Sequence, residues 1–184
     1  HSIAQFIFSL FFTGKRLTLT LDRTNWFWGK AKINILTLAI AYEGVAIPLF
    51  WCLLNKAGNA SALEHRAMLV RFIRLFGKAC ILGVLADREF ASECLFRFCN
   101  EHKVPFYIRI KDDAQIKVKA KKWHKAKNLF AHLKVKESTA FSMTVWVYGQ
   151  KIYLSGARSE KGELMLVATH QNPQNAIAVY LSAQ

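Results

Sequence analysis

Two apolar, strand-like runs in this chain each end on an aspartate. Leu17-Thr18-Leu19-Thr20-Leu21 runs into Asp22, and Ile81-Leu82-Gly83-Val84-Leu85-Ala86 runs into Asp87. The chain has only four aspartates, and the other two, Asp112 and Asp113, lie in a lysine-rich stretch. If the two runs are neighbouring parallel strands, about 4.8 Å apart, both carboxylates emerge at one carboxyl edge of a sheet, where open α/β folds place their ligands. Two anions held that close need a cation between them. On a chain this basic, the pairing predicts a divalent metal acting on a phosphodiester.

The surrounding pattern supplies the neighbours such a sheet needs. Residues 33–40 predict a second, largely buried strand, Glu43-Gly44 a turn, and residues 45–53 a third strand. Pro48 has no ladder donor, which puts the third strand at a sheet edge or a bulge. Ser61 and Glu64 form a capping-box pattern ahead of a helix whose buried face is expected at Leu63, Ala67, Val70 and Ile73, with Gly77 as its end. A crossover then returns the chain into the run ending on Asp87, parallel to an earlier strand. Ala91, Cys94, Leu95 and Phe98 mark the next helix, and residues 106–110 a fifth strand. Three hairpin-connected strands, then helix, strand, helix, strand, is the element order of the ribonuclease-H-like fold. The first and fourth strands of that fold lie side by side, so Asp22 and Asp87 would meet. The expected class is therefore α/β, a ribonuclease-H-like mixed sheet carrying a strand-rich insertion.

Composition points to the partner. Hydrophobic residues make up 53% of the 184, enough for a packed core, and a formal charge of +14 with pI near 9.9 calls for a polyanion, usually nucleic acid. Residues 109–136 hold ten Lys or Arg against Asp112 and Asp113, a net +8. That excess marks Lys117, Lys119, Lys121, Lys122, Lys125 and Lys127 as candidates for salt-sensitive, sequence-independent phosphate contact. No apolar run approaches the roughly 18 residues of a spanning helix. The charge at Lys15-Arg16 follows the apolar run at 3–12 instead of preceding it, unlike a signal peptide. No membrane partner is expected, and the compartment is read as cytoplasmic. Cys52, Cys80, Cys94 and Cys99 lack metal-ligand spacing and are expected as buried, reduced thiols.

The chain divides by composition. Residues 1–15 read as the remnant of an N-terminal region and 16–111 as the core. Residues 112–160 read as a basic, strand-rich insertion with a hairpin from 141–148 to 151–154 about Gly149-Gln150. Residues 161–184 return to the core through a strand at 164–169 and an incomplete last helix, capped by Asn172-Pro173 and carrying Ile177 and Tyr180.

Asp22-Arg23-Thr24-Asn25-Trp26, the apolar strand at 33–40, Gly44-Val45-Ala46-Ile47-Pro48 and Ala86-Asp87-Arg88-Glu89-Phe90 occur in that order. Together they resemble the DDE transposases of bacterial insertion sequences, in particular the insertion-sequence-four group with its Asp-Arg-Glu signature. The resemblance runs from about Leu17 to Tyr180. It implies a bacterial, nucleoid-associated enzyme that cleaves DNA at transposon ends and transfers the 3′ ends to target DNA. It also implies two Mg²⁺ or Mn²⁺ ions held by two aspartates and a glutamate, with Asp22 and Asp87 as the catalytic, metal-holding aspartates and Asp22 bridging. A homodimer in the DNA complex is compatible with it. Arg23 and Arg88, each next to an aspartate, are candidates for phosphate contact, while Glu89 reads as a first-turn residue favoured by the helix dipole. The family's glutamate belongs to a Tyr-x-x-Arg-x-x-x-Glu-x-x-x-x-x-x-Lys signature. Tyr180 fits the Tyr, Ala183 stands at the Arg position, and the Glu would fall three residues past Gln184. By itself the chain is therefore expected to be nearly inactive, with weak metal binding. The rival readings are a catalytically dead DNA-binding remnant, another two-metal nuclease of the same fold, and a membrane-surface protein supported only by its charge.

Overall fold

The chain's β-branched and aromatic residues from Leu17 onward do not stop at Asp22. Thr24, Trp26 and Phe27 keep the backbone extended, and strand β1 spans Leu17–Trp28. A two-residue turn at Gly29 and Lys30 joins it to β2 (Ala31–Tyr42), which pairs with it antiparallel from Leu19↔Ile40 to Trp28↔Ala31. Glu43 (φ 48°) and Gly44 (φ 78°) close the second hairpin, Tyr42↔Val45, in the left-handed turn geometry that matches strand twist. In β3 (Val45–Leu53) the register slips at Pro48, where Ala39 faces Pro48 and Leu38 faces Phe50. β3 is the edge strand, so both expected explanations for Pro48 hold.

The structure, a computed structural model, describes residues 2–12, 14–54, 61–119 and 122–182. Helix α1 (Ser2–Phe11) lays Phe8 against Phe76, ring centroids 4.0 Å apart. The capping box at Ser61 and Glu64 opens α2 (Ala62–Phe76), and Gly77 closes it. The buried face of α2 is His65, Met68, Leu69 and Phe72, not the expected set, and Leu63 is 68% exposed. The helix is rotated from the expected stripe because Phe72 and Phe76 turn toward Phe8. β4 (Ile81–Ala86) then pairs parallel with β1, ending at Leu21↔Ala86. Helix α3 (Glu93–His102) buries Leu95, Phe96, Phe98 and Cys99, leaving Cys94 half-buried. β5 (Phe106–Ile110) lies parallel to β4.

Beyond β5 come β6 (Gln115–Ile116), β7 (His124–Lys125), β8 (Ser138–Ala140), β9 (Val145–Val147), β10 (Gln150–Arg158) and β11 (Leu164–Thr169). The expected hairpin forms one residue earlier than read: Val147 faces Gln150, with Tyr148 and Gly149 in the turn, and only 145–147 of its first arm is strand. The sheet order is β3-β2-β1-β4-β5-β11-β10-β8. Four strands after residue 112 thus extend the core sheet, β9 by pairing with β10 beside the main path, and Phe130, Val145, Ile152 and Leu154 share one apolar cluster with Leu19 and Leu38. Gly156 makes this closeness possible, since a Cβ there would meet the Phe130 ring at 2.5 Å. Helix α4 (Ala176–Leu181) covers part of the other sheet face, where Ile177 and Tyr180 join Leu85 and Val167. Among the described residues no helix is long and apolar enough to cross a membrane. The expectation of four buried thiols fails for Cys52, which is exposed on the edge strand, while Cys80 and Cys99 are buried.

Candidate active site

Parallel pairing of β1 with β4 stops at Leu21↔Ala86, so Asp22 and Asp87 are the next residues on adjoining strands. In-register neighbours point to the same face. Both carboxylates accordingly line one pocket of about 240 Å³, with Thr20, Leu85 and Tyr180 in its wall. Asp22 does not end its strand as expected. It sits inside β1, opposite Thr37, at the point where β4 stops and β1 continues paired only with β2.

The two carboxylates differ in their surroundings. Among the described residues, no side-chain hydrogen bond or ion pair engages the exposed Asp22 carboxylate, whose charge nevertheless adds to the Glu89 hydrogen bond in raising the pKa of the neighbouring Arg23. Asp87 Oδ1 accepts the backbone N–H of Arg88 (2.7 Å), capping a short 3-10 turn over Arg88–Phe90. The same oxygen meets Arg109 Nη1 at 3.3 Å. β5 sets up that contact: Ala86 faces Ile108, which puts Arg109 beside Asp87. The sequence reading counted Arg109 only as one more cation, although extending the parallel register by one residue would have found it.

The neighbouring arginines have unlike roles. Arg23 lies on the opposite side of β1, 10% exposed, and donates to Glu89 through Nε (3.1 Å to Oε1) and Nη2 (2.7 Å to Oε2). The hydrogen bond to Glu89 pushes Arg23 above its ordinary pKa. Its guanidinium is thus directed at Glu89, away from the expected phosphate contact, and Glu89 holds β1 to the turn after β4. Arg88 is exposed next to the pocket. Tyr180, 3% exposed, brings α4 to the wall.

The lysines gather elsewhere. Lys117 bridges to Trp146, which faces Lys151 in β10, so two cations flank an exposed indole in one row. Lys119, Lys122, Lys125 and Lys127 are exposed, Lys127 lies 3.8 Å from Asp112, and Lys121 is outside the described residues, as is Ala183. A concavity of about 400 Å³ beside the row is lined by Lys119, Thr144, Trp146, Lys151 and Tyr153 and by no acidic residue. Lys151 escaped the sequence reading because it falls outside the dense lysine window.

Among the described residues no group of three or more His, Cys, Asp or Glu side chains is placed to hold a metal ion. The donor set at the pocket, two carboxylates from adjoining strands, fits a hard divalent cation that takes its remaining ligands from water and phosphate, the usual habit of Mg²⁺.

No protein-family model matches the chain, and no curated protein sequence matches it. Solved structures do. The chain is similar over 92% of its length to a piggyBac transposase in a synaptic complex with hairpin DNA, at TM-score 0.58 and 10% identity. It spans 38% of that transposase chain. It is also similar over 94% of its length to human endonuclease V, at TM-score 0.51 and 14% identity, spanning 77% of that enzyme. These likenesses establish the fold: a mixed α/β sheet of the ribonuclease-H-like kind.

Proposed function

We propose that the chain is the catalytic region of a DDE transposase that cleaves DNA at transposon ends and joins the 3′ ends to target DNA. One observation carries the reading: Asp22 and Asp87 stand next to each other where two parallel strands part, in one pocket open to solvent. The transposase among its structural relatives and the Asp-Arg-Thr-Asn-Trp and Asp-Arg-Glu motifs support the choice of chemistry.

Asp22 and Asp87 would hold the cation, and the Asp22 carboxylate has no side-chain hydrogen bond or ion pair to give up among the described residues. Two bound Mg²⁺ or Mn²⁺ ions would supply activation of a water or 3′-hydroxyl and stabilisation of the leaving oxygen. The chain's own residues do the positioning. The Arg88 amide fixes Asp87, the Arg23–Glu89 pair clamps β1 to the following turn, and Tyr180 closes the pocket wall. Arg88, Lys119, Lys122 and Lys125 contact backbone phosphates. The test is Mn²⁺ titration followed by electron paramagnetic resonance. Asp22→Ala and Asp87→Ala each abolish binding, and binding that survives both changes refutes the site.

A second reading, a DNA-binding remnant without catalysis, is favoured by the absence of a three-ligand cluster among the described residues. In that case the protein binds duplex DNA, neither alanine variant changes the affinity, and no Mn²⁺ is bound.

A further inference from the structure

Arg109 is placed between the carboxylate pocket and a second concavity. On one side its Nη1 lies 3.3 Å from Asp87 Oδ1. On the other it lines a concavity of about 380 Å³ of mixed charge, where Lys136 and Arg158 stand with Glu137 and Glu163, so that Arg109 tips the lining to a net positive charge. Its Nε is buried and has no hydrogen-bond acceptor. A buried donor without a protein partner is costly, so the contact with Asp87 leaves the hydrogen-bonding capacity of this guanidinium incompletely used. Asp87 Oδ1 already accepts the Arg88 N–H, so a cation approaching that oxygen meets a guanidinium of like sign.

We propose that Arg109 exchanges partners, from the Asp87 carboxylate to a DNA phosphate, and thereby couples cation binding to DNA binding. The inference rests on the proposed function for its two ligands but adds a positioning role for a residue outside that site's carboxylates. While Arg109 neutralises Asp87, a divalent cation binds the pocket weakly. A phosphate oxygen supplied by DNA satisfies the guanidinium in a paired, charge-assisted contact and returns the full charge of Asp87 to the cation. Linkage makes the effect mutual: the cation must tighten DNA by the same factor by which DNA tightens the cation. Two other basic residues near the carboxylates cannot do this. Arg23 is bound to Glu89 on the other side of β1, and no ion pair joins the exposed Arg88 to Asp87.

The decisive measurement needs no metal. In chelator, binding of a fluorescein-labelled 20-base-pair duplex is followed by anisotropy for the whole chain and for Asp22→Asn and Asp87→Asn. Each change removes one negative charge from the same pocket, but only Asp87→Asn releases Arg109. Asp87→Asn is expected to tighten the duplex about fivefold or more, the lower end of ordinary coupling, and Asp22→Asn by distinctly less. In an Arg109→Gln background the two changes become equal. Arg109→Lys keeps part of the difference, since an ammonium still meets phosphate as a point charge. Circular dichroism melts verify that each variant is folded, and the Lys variant decides if the Gln variant is not.

Equal effects of Asp22→Asn and Asp87→Asn in the otherwise unchanged chain overturn the exchange while leaving the metal site standing. Survival of Mn²⁺ binding in Asp22→Ala instead overturns the site reading. In a second arm, the duplex raises Mn²⁺ affinity of the unchanged chain, and Arg109→Gln raises it without DNA and removes the further gain. Lowered Mn²⁺ affinity in Arg109→Gln, or a duplex-dependent gain that persists in it, also overturns the proposal.

Discussion

Two concave regions of this protein differ in the sign of what they present. The pocket at the β1–β4 edge is built from Asp22 within β1 and Asp87 just past the end of β4. The concavity beside β9 and β10 is built from Lys119 and Lys151 around Trp146, with no carboxylate in its lining. The first suits a small hard cation and depends on two side chains at one register position. The second suits an extended polyanion and depends on summed charge, so no single lysine is indispensable. On the proposed function, the first region would do the chemistry and the second would hold the strand.

The largest expected effect separates the two regions directly. Asp22→Ala lowers Mn²⁺ affinity by at least about 100-fold, beyond the loss seen when an outer-shell metal partner is removed, while changing duplex affinity in chelator less than Lys151→Gln does. Lys151→Gln leaves Mn²⁺ binding intact and makes the slope of log affinity against log salt shallower by about 0.9. Mn²⁺ titrations and salt titrations on the two variants check both halves. A metal defect in the lysine variant would merge the regions into one site.

The next effect asks whether the regions share one folding unit. Leu19 in β1 and Leu154 in β10 are both fully buried in the same cluster. Each Leu→Ala change should cost about 2–5 kcal/mol and shift a single thermal transition seen alike by far-ultraviolet dichroism and tryptophan fluorescence. Two separable transitions would mean that the basic region folds independently of the core.

A smaller effect concerns the clamp below the carboxylates. Arg23→Ala leaves Glu89 without its bidentate partner in a part-buried setting and should cost about 1–3 kcal/mol. Because Arg23 faces Glu89, not the pocket, duplex affinity in chelator should fall by less than twofold. A tenfold loss there would restore the phosphate role expected from its place in the Asp-Arg-Thr motif.

The carboxylate region was legible in the sequence because its information is local: an apolar run, then an aspartate, twice, with a helical crossover between. The capping box and the strands at β3, β5 and β11 were legible for the same reason. What failed depended on contacts far apart in the chain. The true face of α2 is chosen by Phe8, some 60 residues upstream of its buried stripe. The continuation of β1 past Asp22 is secured by β2 pairing and by Glu89, and the Arg109–Asp87 contact appears only once β4 and β5 are in register. The basic region read as an insertion because composition changes there. Its strands nevertheless continue the sheet, since Val145, Ile152 and Leu154 alternate with the more exposed Trp146, Lys151 and Tyr153 and supply a buried face.

The smallest effect concerns acid, and it should reach the basic region before the carboxylate pocket. His170, at the end of β11, donates from Nδ1 to Asn100 Oδ1 (2.8 Å), and Asn100 Nδ2 donates to Gln150 Oε1 (3.1 Å) at the start of β10. Burial pushes the His170 imidazole below its ordinary value of 6.5. The folded state therefore resists a proton that the unfolded chain accepts, so this stabilising term is complete above pH 6.5 and declines as pH falls below it. Protonation at Nε2 leaves the Nδ1–H donor to Asn100 in place, so the cost is that of a buried charge where β11 meets α3 and the start of β10, not at β1 or β4. Amide exchange on lowering the pH from 7 to 5.5, corrected for intrinsic rates, should show protection at Val145–Val147 falling before protection at Leu19 and Leu21. His170→Gln, which cannot titrate there, should remove the difference. Simultaneous loss in both places would show that the two regions share their least stable element.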